Sequence, residues 1–197
     1  MFAGKDEIER VLGAFSEQLE ILGVGTVEMV VCGGAALNVL GYVRRTTKDV
    51  DVIAFLEKKG GSVALIQAGP FPPLIKQAAD KVQRDFNLPD NWLNPGPASV
   101  MDFGLPEGLL ERTENRTYGR ALVIHFLSRY DQIHFKLYAA VDQGGKHFDD
   151  LLALKPSSQE LEVAARWSMT HDPSEGFRVI LRDFFRRIGH DDVAAKL

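Results

Sequence analysis

Asp49-Val50-Asp51 sets two carboxylates two residues apart at the head of an apolar run that continues Val52-Ile53-Ala54-Phe55. On a strand, side chains alternate between faces, so Asp49 and Asp51 share one face while Val50 and Val52 take the other. Two carboxylates about 5 Å apart repel by roughly 3 kcal/mol at an effective dielectric of about 20. A fold keeps such a pair where a cation or a shared proton offsets it, or where both reach water. Hard oxygen ligands of this kind suit Mg²⁺ or Mn²⁺, which bridge protein carboxylates to phosphate oxygens. If the extended run begins upstream, Arg45 and Thr47 join that face and set a cation and a hydroxyl beside the carboxylates.

Gly33-Gly34 falls where a strand, Val27–Cys32, hands over to a short helix, Ala35–Leu40. Glycine lets a backbone approach a ligand closely, and the first amides of a helix hold anions such as phosphate. Polyphosphate at Gly33 and Gly34 with metal on Asp49 and Asp51 makes one coherent site. A tight strand-to-helix turn and a solvated strand edge are the plainer readings of the same residues.

Gly-Gly opening a short helix, then Arg45-x-Thr47-x-Asp49-x-Asp51, resembles the nucleotidyltransferase superfamily of the DNA polymerase beta type. The closer likeness is to small bacterial nucleotidyltransferase-like proteins related to abortive-infection toxin enzymes. A second block runs from Lys136-Leu137-Tyr138-Ala139-Ala140 through Lys146 to Asp150-Leu151, and the resemblance spans about residues 25–155. It implies that Asp49 and Asp51 hold Mg²⁺ and orient an α-phosphate for attack by an acceptor hydroxyl. It implies that Lys136 contacts the triphosphate and that Asp150 supports the site or holds Lys136. The chain departs from the family in having Gly-Gly where Gly-Ser is usual. It also lacks the third carboxylate often found on a later strand. The best later strand, Ala121–Leu127, offers His125, and Asp102 and Asp131 are the substitutes nearby.

The reading is therefore a metal-dependent transfer of a nucleotidyl group from a nucleoside triphosphate to a hydroxyl on RNA, protein or a small molecule. Its alternative is a catalytically degenerate nucleotide- or partner-binding protein, such as one half of a toxin–antitoxin pair. Lys136 has a plainer role in a salt bridge, and Asp150 in pairing with Lys146. His125 reads as a hydrogen-bonded core histidine, and Cys32 as inert packing. His134 and His147 lack a metal-ligand spacing. Trp92 is either a stacking wall for a base or a plug under its loop. Arg178, Arg182 and Arg186 recur on one helical face, which is either solvated or set against a phosphate-rich or acidic partner.

These residues need elements to position them. Apolar spacings of three and four mark a helix over residues 6–22, which Gly23 and Gly25 end. Strands follow at Val27–Cys32 and Asp49–Phe55, then a turn at Gly60-Gly61 and a short strand at Ser62–Ile66. Leu74–Phe86 reads as a helix. Residues 87–97 read as a loop, since prolines interrupt them. Beyond the strand Ala121–Leu127, helices are expected at Asp131–Val141, His147–Leu154, Gln159–Met169 and from Asp172 onward. The expected fold is α+β: a mixed sheet flanked by helices in residues 1–127, with a helical region over residues 128–197 packed on it.

Composition narrows the class. The 197 residues are 45% hydrophobic and 25% charged, which fits a globular chain and excludes a disordered or fibrous one. A formal charge of −4 argues against a polycation that binds nucleic acid with its whole surface. One cysteine allows no internal disulfide, and no apolar run approaches the ~20 residues that span a bilayer. The N-terminus turns acidic at once, without the core of a signal peptide. The expectation is a cytoplasmic protein without membrane contact.

Overall fold

The computed structural model describes all 197 residues. The fold is α+β, a mixed sheet flanked by helices. The chain divides into two units, one of residues 1–101 and 110–127, the other of residues 102–109 and 128–197. Residues 102–109, expected within the first region, thus group with the C-terminal helices.

In the first unit, α1 (Lys5–Ile21) leads into β1 (Val27–Cys32), and α2 (Gly33–Val39) starts directly where β1 ends. β2 (Val50–Lys59) and β3 (Ser62–Gln67) form a hairpin across Gly60 and Gly61. Both glycines have positive φ, +58° and +85°, as a two-residue hairpin turn that follows the strand twist requires. α3 (Pro73–Phe86), the two-residue β4 (Leu93–Asn94), β5 (Glu114–Tyr118) and β6 (Leu122–Phe126) complete the unit.

The sheet order is β3-β2-β1-β6-β5, with β4 paired to β2 off that path. β1 runs antiparallel to β2 and parallel to β6. The β1–β2 register shifts at Val30/Val31, so Ile53 is an extra residue between Val52 and Ala54. One sheet face carries Val27, Met29, Val31, Val50, Val52, Leu122, Ile124 and Phe126 into a buried core shared with α1, α2 and α3. α1 contributes Ile8, Val11, Leu12, Phe15 and Leu19, the stripe its spacing predicts.

Three local expectations are corrected, and one strand carried no expectation. Residues 45–48 are not a strand: Thr47 makes only an isolated bridge to Phe2, with Phe2 N–H donating to its carbonyl at 2.7 Å. Asp49 lies one residue before β2, whose Val50 N–H donates to the Trp92 carbonyl at 2.6 Å. The proline-rich loop contains β4, which pairs parallel to the start of β2. β5, with the polar sequence Glu-Asn-Arg-Thr-Tyr, is an edge strand without a continuous apolar run to announce it. Trp92 is the plug of its loop. It is 1% exposed, its indole N–H donates to the Ala79 carbonyl at 3.0 Å, and its ring meets Phe2 and Phe15 edge to face.

The second unit comprises α4 (Arg129–Gln143), α5 (Lys146–Ala153), α6 (Ser158–His171), α7 (Glu175–Arg187) and α8 (Asp191–Ala194). Ser128, Ser157 and Ser174 accept backbone N–H bonds at the starts of α4, α6 and α7. Ser157 and Glu160 form a reciprocal capping box. An aromatic cluster of Tyr138, His134, Phe135, Trp167, His171 and Phe177 holds α4, α6 and α7 together. The Trp167 indole N–H also donates to the Gly104 carbonyl at 3.1 Å, which ties in residues 102–109. No helix is long and apolar enough to cross a membrane.

Candidate functional site

The β1–α2 junction is where the sequence motifs meet. A Cβ built on Gly33 would lie 2.2 Å from Oδ2 of Asp51, and one built on Gly34 would lie 2.7 Å from Oγ1 of Thr47 and 3.0 Å from an Arg45 guanidinium nitrogen. The space that the glycines leave open is taken by Asp51, Thr47 and Arg45. Gly33 also has φ +72°, which a residue with a side chain adopts only with strain. The antiparallel β1–β2 register brings this about by setting Asp51 opposite Cys32, immediately before Gly33.

Two asparagines outside the sequence motifs bind the junction together. Asn38, 4% exposed, donates from its side-chain amide to the Gly34 carbonyl at 2.9 Å and accepts the Arg45 backbone N–H at 3.3 Å. It thereby ties α2 to the segment carrying Arg45, whose guanidinium donates to the Thr46 carbonyl at 2.9 Å. Asn94 stands opposite Asp51 in the β2–β4 pairing and donates to Oδ1 of Asp51 at 2.8 Å. The Asn94 side-chain oxygen accepts the Gly96 N–H at 2.9 Å, so its donor end is the one turned to Asp51. A polar residue within the otherwise apolar Gly-Gly-Ala-Ala-Leu-Asn-Val was a signal for Asn38. Nothing local marks Asn94.

Arg45, Thr47 and Asp51 thus gather against Gly33 and Gly34. Asp49 is half-buried, and its carbonyl lies 3.5 Å from the Thr47 hydroxyl. Within this unit a cation would find hard carboxylate oxygens and a neutral amide. No group of three or more His, Cys, Asp or Glu side chains is placed to hold a metal ion, so a cation at Asp49 and Asp51 would need water or phosphate oxygens as well. Mg²⁺ is commonly held in that way, by one or two carboxylates together with substrate phosphates.

Lys136 and Asp150 both lie in the helical unit, on α4 and α5, and form an ion pair at 2.7 Å with side chains 5% and 1% exposed. Asp150 therefore pairs with Lys136, and the alternative pairing with Lys146 is not what forms. His125 on β6 takes the plain role: its Nε2 bonds Oε2 of Glu28 at 2.9 Å, and Glu28 also pairs with Lys58. Burial raises the Glu28 pKa, but the hydrogen bonds and charges of Lys58 and His125 outweigh it and hold the carboxyl below its usual range. Asp131 lies in the first turn of α4, where Ser128 donates to Oδ2 at 2.6 Å, and Asp102 lies one residue before the end of a run of 3-10 turns over Gly96–Phe103. Neither lies on a strand. Arg178 and Arg182 pair with Glu175, and Arg186 with Asp183, so the arginine stripe is interleaved with acids of its own helix.

No family model matches the chain, and neither a curated protein nor a solved structure does.

Proposed function

We propose that the protein transfers a nucleotidyl group from a nucleoside triphosphate to a hydroxyl acceptor on RNA, protein or a small molecule, with Mg²⁺ or Mn²⁺ at Asp49 and Asp51. The observation that carries this reading is the approach of Asp51 to Gly33 and of Thr47 and Arg45 to Gly34. It gathers carboxylate, hydroxyl and guanidinium groups, spaced along the chain, at one strand-to-helix junction.

The bound metal would supply positive charge to the phosphate oxygens. Asp49 and Asp51 would hold it, and Arg45 would offset phosphate charge. In this reading a phosphate at Gly33 and Gly34 would displace the side chains of Asp51, Thr47 and Arg45, which fill the space beside them. The acceptor oxygen would form a bond to the α-phosphorus while the bond to the pyrophosphate oxygen breaks, and pyrophosphate would leave with its electron pair. The acceptor proton would pass to an Asp49 or Asp51 oxygen or to water. The protein's contribution is positioning and electrostatic stabilisation.

Asn94 favours a second reading. The position opposite Asp51 is a neutral amide, which suits a member that binds nucleotide or a partner protein without turnover, as in a toxin–antitoxin pair.

Thermal melting with each of the four triphosphates, with and without Mg²⁺, tests binding. Triphosphate and Mg²⁺ together should raise the melting temperature more than either alone, because ligand at ~100 times its dissociation constant adds about 2.7 kcal/mol. Labelled-nucleotide transfer to RNA, protein and small-molecule hydroxyls then separates the two readings. No shift with any triphosphate at millimolar concentration rejects nucleotide transfer and nucleotide binding alike and leaves partner binding as the second reading.

A further inference from the structure

We infer that β3 is a self-association edge, through which two copies of this chain pair antiparallel about a two-fold axis at Ala64. β3 ends the sheet order, with β2 on one side and no strand on the other. The Ala68 N–H donates to the Ile53 carbonyl at 3.0 Å, which makes Ala54 and Gln67 a non-hydrogen-bonded pair of the β2–β3 ladder. Bonded and non-bonded pairs alternate along an antiparallel ladder. Ser62, Ala64 and Ile66 therefore bond to β2, while the backbone N–H and C=O of Val63 and Leu65 point to the open edge.

A second copy of the same strand satisfies those open groups in both chains. A two-fold axis normal to a sheet preserves its faces, so residues of the same parity meet across it. With the axis at Ala64, Val63 of one copy meets Leu65 of the other, and the reverse. The open N–H and C=O groups of both residues are then bonded in both copies. Ala64 faces its own counterpart, where a small side chain suits the closer, non-bonded spacing. Val63 and Ile66, 49% and 44% exposed, lie on opposite faces, and the pairing covers one with Leu65 and sets Ser62 against the other.

Charge points the same way. β3 reads Ser-Val-Ala-Leu-Ile-Gln, with none of the charges, prolines or bulges that blunt an edge. The opposite edge, β5, carries Glu114 and Arg116, and self-pairing centred there would set arginine against arginine. A single strand edge covers less surface than a stable interface requires, so the dimer is weak and concentration-dependent.

Sedimentation velocity from low to high micromolar protein, with amide hydrogen exchange, tests this. The expected result is a shift toward twice the monomer mass, with slower exchange at Val63 and Leu65 as concentration rises. Ala64→Lys, which faces Glu57 across its own ladder but sets two like charges across the axis, and Leu65→Pro, which removes an outward N–H but no ladder bond, should both hold the chain monomeric with its melting temperature kept at low concentration. If Leu65→Pro unfolds, Ala64→Lys and the exchange data decide. A wild-type chain that stays monomeric throughout, or a dimer that Ala64→Lys leaves intact, overturns the inference.

Discussion

Asn94 donates its side-chain amide to Oδ1 of Asp51 at 2.8 Å, across the strand pairing that sets the two residues side by side. The Gly96 N–H locks the amide in that orientation. Asn94→Asp keeps an acceptor for Gly96 and changes only the group turned to Asp51, from a donor to a carboxylate oxygen. At neutral pH in chelator the variant should lose about 1–3 kcal/mol, from the lost hydrogen bond and the new repulsion. The loss should shrink in acid, as one of the two carboxyls takes a proton, and Mg²⁺ should restore part of it if the carboxylates bind metal. Urea melts at acidic and neutral pH, with and without Mg²⁺, check this. Unchanged stability at neutral pH would mean that Asn94 does not support Asp51.

The two glycines should differ in cost. Gly33→Ala combines a strained positive φ with a Cβ in the place of the Asp51 carboxylate, and should destabilise by about 2–4 kcal/mol. Gly34→Ala has no positive φ and gains helix propensity, so about 1–2 kcal/mol is expected. Thr47→Ala removes the hydroxyl nearest to that new Cβ, so the double variant Gly34→Ala/Thr47→Ala should be more stable than the two single losses sum to. Denaturant melts of the four-member cycle read the coupling; strict additivity would separate Thr47 from Gly34.

Lys136 and Asp150 should behave as a buried pair whose members depend on each other. Lys136→Met leaves Asp150 buried without its ion-pair partner and should cost about 3–5 kcal/mol, as should Asp150→Leu, whereas the double variant should recover most of that. Calorimetry of the three variants, with and without Mg²⁺ and triphosphate, makes the comparison. Single losses below about 1 kcal/mol would show the pair to be solvent-screened.

Glu160 contributes an acid-sensitive increment. Hydrogen bonds from Arg129 lower its pKa most, burial opposes them, Ser157 adds to the lowering, and the carboxyl is held at about 2 against an ordinary 4.5. A depressed carboxyl stabilises the fold above the unfolded-state value, and that contribution is lost as pH falls from about 4.5 through about 2. Solvent screening limits it to about 1 kcal/mol. Glu160→Gln should be less stable than wild type at pH 7 by about that amount, and the two should converge as pH falls toward 2. Urea melts across this range measure it, and a constant difference would assign the loss to the cap rather than to the charge.

Local pattern alone determined much of this chain. Burial with period two or 3.6 is written into neighbouring residues, so β1, the α1 stripe, the Gly60-Gly61 hairpin and the apolar face of α7 were legible before any tertiary contact was known. The clustering of Gly33, Gly34, Arg45, Thr47 and Asp51 could be anticipated because all five lie within twenty residues, between the end of one strand and the start of the next. The tertiary structure decided what depends on which edges meet. Asn94 reaches Asp51 from 43 positions away through a two-residue strand in a proline-rich loop, too short for periodicity to show. β5 has a polar sequence because it is an edge, where no apolar run is needed. Lys136 takes Asp150, rather than Lys146 doing so, because two helices bring them together in a buried place where an unpaired charge is costly. Sequence spacing carries the energetics of a single element; the partners of a buried polar group are set by the packing of several, and only the folded chain shows them.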